Sequence, residues 1–561
     1  MARALVSTLG LAALFLGFVS LLSARDRWTE LNLGPFYVDA EGDTLDAARQ
    51  DLADLEQLRW VLGGLLESQD LPSVWPFRVL LTKPAKTNPT PAPNGFVSQS
   101  GQYLLLTHPG EPLPLAQVAK ILLDANTPRL PPEVESGLPQ LFATLKARGS
   151  RVTWGAPPPH PDLDWARMQL FATRFEYTSS FHIFVTSLKD GSTLSAAETN
   201  AFGQPRDVLE KQAAANLASG NWQAVPVSGR PLDPKRDFGE HELPAAVADV
   251  YLADLSVSAD PKSAEAAYKA GVEAGPPAMA LGYEGLAQIA RLQKQNPKPF
   301  LEDAIRAGSH SAPVYLADAD GQPPAEALQL LKKASQLSPL WAEPVHLQAE
   351  LAATPAEKEA LLKKAVQLDP RMTRYWIELA RLQTIDGHAL DAQGSWLRAE
   401  DSAPAGAERE HVHELRVRSE QERLDAADRE RRQEREAAHL SDEQAQQSEA
   451  DRIRAAEAKA NATLNAEAGG SEPANVVPWD SMLTKKKVAG TLVRVDCMRS
   501  GDRLSVKDRS GQILQLYLKD PAQLNLSCGT QTTPRRVSVA YINQRDDDRH
   551  TVGNVTDIEF R

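Results

Sequence analysis

The side chains that could carry chemistry are scattered along the chain. The sequence has 561 residues and 11 histidines, and none of them opens an H-E-x-x-H pair. His241-Glu242 has no second histidine one helical turn on, and two imidazoles at that spacing are what a single zinc ion requires. His411 and His413 stand two apart, so a helix points them in different directions. Asp546-Asp547-Asp548 could attract a cation, but it lacks the ligand spacing of a calcium loop and reads better as a hairpin tip. There is no phosphate loop, no G-x-S-x-G elbow and no Cys-x-x-Cys. Glu133, Glu135 and His182 remain as acid–base candidates for a hydrolase built on a non-standard site. Glu176 and Tyr177, near His182, could wall a substrate, although aromatic residues at helical spacing are more often core. The only cysteines, Cys497 and Cys528, are an even pair near the end of the chain. An even pair suggests one disulfide in an exported protein, the alternative being two unpaired core residues.

The elements that would position such groups centre on the stretch from Leu115 to Phe142. Leu115, Val118, Ala119 and Leu122 recur at i, i+3, i+4 and i+7, one buried face of a helix. Val134, Leu138, Leu141, Phe142 and Leu145 make a second apolar stripe. Pro139 disfavours a helix interior by about 3 kcal/mol. The second helix is therefore expected to start near Ser136 or to kink at Pro139.

This layout resembles the metal helix pair of gluzincin-type zinc peptidases, in particular bacterial peptidase-like domains that precede tetratricopeptide (TPR) repeats. There one helix reads H-E-x-x-H-x-L-L and the next L-P-x-W-L-x-E-G-L-A-x-Y-F. On this chain the first histidine falls on Ala116, the glutamate on Gln117 and the second histidine on Lys120. The third ligand falls on Ser136, while Gly137, Leu138 and Phe142 are kept. The resemblance extends over about residues 30 to 240 and implies an α+β peptidase-like domain whose chemistry is gone. A catalytic zinc ion needs three ligands from imidazole, thiolate or carboxylate. A methyl group, an ammonium and a hydroxyl cannot supply them, and Gln117 cannot accept a proton. The alternative is an ordinary helical hairpin, and neither reading holds a metal, a cofactor or a catalytic residue.

Upstream, Trp28 to Val38 reads as a strand, Thr44 to Glu67 as a helix, and Phe77 to Leu81 as a second strand. Phe96 to Leu106 reads as a hairpin turning at Ser100-Gly101. Downstream, residues 164 to 219 read as mostly helical, including Phe175 to Leu188. Residues 241 to 406 are rich in Ala and Leu and carry a repeat. Leu331-Lys-Lys-Ala-Ser-Gln-Leu-Ser-Pro339 recurs as Leu362-Lys-Lys-Ala-Val-Gln-Leu-Asp-Pro370, and Pro339, Pro370 and Pro404 are 31 and 34 residues apart. Counted from Thr373, the TPR signature places fall on Trp376, Leu379, Ala380, Gly387, Ala392, Trp396, Ala399 and Pro404. Ala248 to Gly275 and Met279 to Gly308 read as worn earlier units.

Residues 407 to 468 are dense in Glu, Arg, Gln and Ala and read as one long charged helix. Leu415, Leu424, Leu440, Ile453 and Leu464 are too sparse for a heptad seam. Residues 469 to 478 read as a linker, and 479 to 561 as a small all-β domain. Its expected strands are Val488–Asp496, Arg503–Lys507, Gln512–Leu518, Arg535–Tyr541 and Val555–Phe560, which suit a small OB-like barrel. From Val476 on there are 14 Lys and Arg against 10 Asp and Glu, with few aromatic residues for base stacking. Lys485-Lys486-Lys487 and Arg535-Arg536 read as solvated strand edges. With a net charge of −13 for the whole chain, nucleic acid is not an expected partner.

Residues 1 to 24 read as a targeting segment. Arg3 precedes the nearly unbroken apolar run Ala4 to Leu22, which is long enough to cross a bilayer. Leu22-Ser23-Ala24 is a mediocre cleavage site, so a cleaved signal peptide and a retained membrane anchor both stay open. The whole therefore reads as an exported, multidomain protein of the periplasm or cell envelope. Its leading domain, residues 27 to 240, is a degenerate peptidase-like unit. The expected function is a non-enzymatic scaffold holding a protein or peptide on the concave face of the solenoid. The alternatives are the non-standard hydrolase and an envelope structural protein.

Overall fold

The computed structural model describes residues 27–83, 95–467, 485–498, 501–521 and 526–560. The targeting segment 1–24 and the linker 469–478 lie outside the described residues. The chain divides into two compact units, one up to Arg431 and one from Arg432 onward.

The first unit begins with a six-stranded sheet. β1 (Trp28–Leu33), β2 (Phe36–Glu41), β3 (Phe77–Leu81), β4 (Val97–Gln99), β5 (Gln102–Thr107) and β9 (Gly239–Leu243) lie in the order β4-β5-β3-β2-β1-β9. The segment read as one strand from Trp28 to Val38 is two antiparallel strands, because Gly34 at φ 58° turns the chain between Leu33 and Phe36. β3 lies parallel to both β2 and β5. Every residue of β3 is buried, because both faces of the sheet are covered. On one face Leu31, Val38, Val79, Leu81 and Leu105 pack in the core that the Leu45–Leu65 helix enters through Leu52, Leu55 and Leu58. On the other, Leu80 and Leu104 meet Val247, Ala248 and Tyr251 of the Ala245–Ser256 helix. Arg78 lies on that second face, donating to Asp39 (2.7 Å) and Glu30 (2.8 Å) with its guanidinium 4.4 Å from the Tyr251 ring centre. Burial pushes Asp39 up to about 6 even against the pull of Arg78. A three-stranded sheet follows, β6 (Lys146–Arg148), β7 (Arg151–Trp154) and β8 (Val225–Ser228).

The helix expected from Phe175 to Leu188 is two helices, Phe175–Thr178 and Phe181–Lys189. The break lets Tyr177 (3% exposed) and Phe184 both turn onto Phe171, while Phe175 stays 94% exposed. The tight hairpin between Ala245–Ser256 and Pro261–Ala274 starts a solenoid. It continues as Ala278–Leu292 with Lys298–Arg306, Ala312–Ala319 with Pro324–Leu337, Ala342–Glu350 with Pro355–Leu368, and Thr373–Ile385 with Ala389–Ser402. These are stacked antiparallel helix pairs of TPR-like form. Second helices open on Pro261, Pro324 and Pro355, where the missing N–H is no loss. Small residues let helices approach: a Cβ on Gly285 would fall 2.2 Å from the Tyr268 ring. Leu379, Ala380, Ala392, Trp396 and Ala399 are all buried, and Gly387 ends its helix at φ 78°. Ala407–Glu467 is one continuous helix, with Leu440, Ile453 and Leu464 more than half exposed.

In the second unit β10 (Lys485–Met498), β11 (Gly501–Asp508), β12 (Ile513–Leu518), β13 (Gly529–Ile542) and β14 (Gly553–Phe560) close into a barrel in the order β10-β11-β12-β14-β13. Leu492, Leu504, Val506, Leu516, Val537 and Val539 fill it. Lys485–Lys487 and Arg535–Arg536 are exposed and pair on one side only, within the β10–β13 ladder, because β11 joins β10 from Gly490 and β14 joins β13 from Val537, so they are the solvated strand edges expected. Cys497 and Cys528 form a disulfide.

Candidate functional site

The two helices singled out in the sequence stand side by side. Leu115–Asn126 buries Leu115, Val118, Ala119, Leu122 and Leu123, which leaves Ala116, Gln117 and Lys120 on its outer side. The second helix runs Pro132–Gln140, so it begins a turn before Ser136. Pro132 sits in its first turn, where its missing N–H is no loss, whereas Pro139 removes a helical bond, and the chain leaves the helix through i→i+3 bonds from Leu141 to Leu138 and from Phe142 to Pro139. Gly137 is required for contact: a Cβ there would lie 2.2 Å from the Asp164 carbonyl oxygen. Between the helices lies an open groove of about 500 Å³, lined by Ala116, Gln117, Lys120, Glu135, Ser136 and Gln140, with Pro132 and Pro139. The four positions onto which the resemblance laid its metal motif thus line one space.

Gln117, Lys120 and Glu135 in that groove each already have partners. Gln117 clamps the backbone of Phe96 at the start of the edge strand β4. The Phe96 N–H donates to Oε1 (2.8 Å) and Nε2 donates to the Phe96 carbonyl (2.7 Å). A glutamate at this place would bring a negative oxygen against that carbonyl, whereas an amide matches both partners. Lys120 donates to both carboxylate oxygens of Asp124 (3.0 and 2.8 Å). Arg371, from the loop after Pro370, donates to Asp124 and to Glu135, and also to the carbonyls of Thr127 (3.2 Å) and Pro128 (3.4 Å). Arg129 donates to the Ser402 carbonyl at 2.7 Å. The charged groups that line the groove are therefore paired with one another.

The hydrolase candidates do not converge. Glu135 lines the groove and is held by Arg371 and by the Leu130 N–H (2.9 Å). Glu133 is bonded to Arg206 at 2.9 Å. Burial pushes Glu133 upward, but its backbone N–H and Arg206 outweigh that and hold it below the ordinary glutamate value. Neither Glu133 nor His182 is part of the groove lining.

The solenoid packs on the leading domain through loops between its hairpins and through the Ala278–Leu292 helix. Trp341 meets Trp75 edge-on at 4.9 Å, Ser338 donates to the Val74 carbonyl, and Gln99 donates to Gln288. A second cavity of about 570 Å³ lies between Trp75, Tyr103 and Lys120 on one side and Trp341, Arg371 and Tyr375 on the other. Sequence patterns gave no hint of Arg371 or of the Gln117 clamp, because both act on partners remote in the chain. The same holds for the buried acids. Asp254 accepts from Tyr268 at 2.7 Å and Glu284 accepts from Ser309 at 2.6 Å. Burial pushes each up to about 7.

No family model matches this sequence, and no curated protein matches it. Solved structures do show likeness. YrrB, described as a TPR protein with an unusual peptide-binding site, is 18% identical with a TM-score of 0.25, over 30% of this chain and 92% of that one. MamA is 16% identical with a TM-score of 0.23, over 27% of this chain and 93% of that one. Yeast Tom70 is 14% identical with a TM-score of 0.28, over 55% of this chain and 64% of that one.

Proposed function

We propose that this chain is an exported, non-enzymatic scaffold: a peptidase-like domain without its chemistry, joined to a TPR-like solenoid that takes a protein or peptide on its concave face. The observation that carries this reading is the content of the groove between the two helices. Where a gluzincin-like peptidase would hold its ion, Ala116 and Ser136 supply no adequate ligand, Gln117 is spent on the Phe96 backbone, and Lys120 and Arg371 bring cations that Asp124 and Glu135 neutralise. A second metal-sized positive charge has no place there. The solenoid supports the recognising role. Arg374, Arg381 and Ile385 lie on one side of the Thr373–Ile385 helix, and Ile385 is 81% exposed. The Cys497–Cys528 bridge supports an oxidising compartment, in keeping with residues 1 to 24 as a targeting segment. We read the C-terminal barrel as OB-like from its strand order and from the parallel pairing of β12 with β14.

The test has two arms. Purified chain incubated with a mixed peptide library, with and without a chelator, is expected to cleave nothing. Quantitative capture from an envelope fraction is expected to yield a partner that Arg381→Glu with Ile385→Glu loses, with the circular dichroism spectrum unchanged, and that Lys120→Met retains. Chelator-sensitive cleavage would overturn the reading, as would a partner lost on changing Lys120 and kept on changing the solenoid.

A further inference from the structure

His346, Glu350 and Glu378 come together from two adjacent hairpins. His346 and Glu350 are i and i+4 on Ala342–Glu350, so they share a helix face, and Glu378 reaches them from Thr373–Ile385. One ligand atom from each lies within 4.8 Å of the other two. The imidazole is 2% exposed and fixed in place. It stacks on Tyr375 with ring centres 4.6 Å apart, and the Tyr375 hydroxyl is held by Glu343 at 2.5 Å. Its Nδ1 is buried with no partner, whereas Nε2 lies 2.9 Å from a Glu378 oxygen. Nε2 is thus the ring nitrogen that already faces a carboxylate, that of Glu378.

We infer that these three residues form a binding site for one divalent transition-metal ion of the zinc class, bridging the fourth and fifth hairpins of the solenoid. An imidazole with two carboxylates is a borderline donor set that suits zinc, with water completing a tetrahedron. Two ligands at about 2.0–2.1 Å from a tetrahedral ion stand about 3.4 Å apart. The 2.9 Å between Nε2 and Glu378 therefore opens by a few tenths of an ångström, within the reach of side-chain rotation. A plain His346–Glu378 ion pair explains less. It makes no use of Glu350, and it leaves two carboxylates within 4.8 Å of one another. Like charges at that range repel, and a bound cation removes the repulsion. A second cluster, Glu359, His388 and Asp391, is a weaker host. Glu359 already bonds Lys363 at 2.9 Å and Gln383 at 3.1 Å, and the His388 side chain is 53% exposed.

The experiment uses the full, untagged chain stripped with a chelator, titrated with zinc chloride by calorimetry and with cobalt chloride by visible absorption. Glu350→Gln is the decisive variant, because Glu350 is exposed and leaves the His346–Glu378 contact intact. The expected result is one zinc ion per chain, a cobalt band typical of a nitrogen- and oxygen-ligated tetrahedral ion, and an affinity at least tenfold weaker in Glu350→Gln. Asp391→Asn is expected to match the parent chain. Failure to bind zinc at 100-fold molar excess would overturn the inference. So would binding that Glu350→Gln leaves unchanged, or that Asp391→Asn abolishes.

Discussion

Replacing Arg371 by alanine tests the account of the groove most directly. The guanidinium, only 10% exposed, joins Asp124 and Glu135 and also reaches the Thr127 and Pro128 carbonyls. Deleting one partner of a buried ion pair costs about 3–5 kcal/mol, chiefly because the other charge is left without compensation. Here both carboxylates keep something. Asp124 keeps Lys120 at 2.8 Å, and Glu135 keeps the Leu130 N–H at 2.9 Å and Arg129 at 3.8 Å. The expected loss is therefore at the lower end, about 3 kcal/mol. Arg371→Lys restores charge but cannot fork to two carboxylates, so it is expected to recover less than half. The assay is urea unfolding of the full chain together with amide exchange at Thr127–Leu130, which reports the opening of this contact even if unfolding is not two-state. A double-mutant cycle with Glu135→Gln is expected to show a coupling of about 1–2 kcal/mol. A loss below about 0.5 kcal/mol, or protection at Leu130 unchanged, would refute the idea that this cation holds the solenoid to the helix pair.

Three further outcomes follow from the same geometry. Asp254, raised by burial to about 7, and Glu284, raised to about 7, keep their protons in the folded chain after the unfolded chain has released them. Their stabilising effect is thus complete below about pH 4 and is lost as pH rises to about 7. Asp254→Asn should cut the fall in stability between pH 5 and pH 8 by about 2–3 kcal/mol, read from urea midpoints. Gly137→Ala puts a methyl group 2.2 Å from the Asp164 carbonyl oxygen. About 3 kcal/mol should be lost, with exchange rising in both contacting helices. Changing Cys497 and Cys528 together to serine opens a loop closed across a sequence separation of 31. The barrel should lose about 3.5 kcal/mol, seen as faster amide exchange in β10 to β13, and a reductant should have the same effect on the parent chain.

What a short window of residues can express was legible. Phe77–Leu81 is a run of β-favouring apolar residues between breakers, and the strand has those bounds. Residues from Ala407 to Glu467 offer charge, high helix propensity and neither proline nor glycine, and one helix spans them. Ala380 and Ala399 were marked by repeat spacing, and both are fully buried because stacked hairpins need a small side chain where two helices cross. The pairing of Cys497 with Cys528 followed from there being no other cysteine.

Tertiary structure alone decided which of these elements meet. β9 adds to β1 across about two hundred residues, and no local pattern records that pairing. Which strand Lys485–Lys487 join is not written locally either: β13 bonds them on one side, while β11 meets β10 only from Gly490 on. Ala116, Gln117, Lys120 and Ser136 show in sequence that imidazole and carboxylate are missing from those positions. Only the fold brings Arg371 to Glu135 and lets Gln117 clamp Phe96. The physical reason is one of range. Periodicity and propensity act within a few helical turns, so a sequence displays them directly. Ion pairs, strand partners and a cluster such as His346, Glu350 and Glu378 depend on which distant faces bury together, and that is settled by the packing of the whole chain.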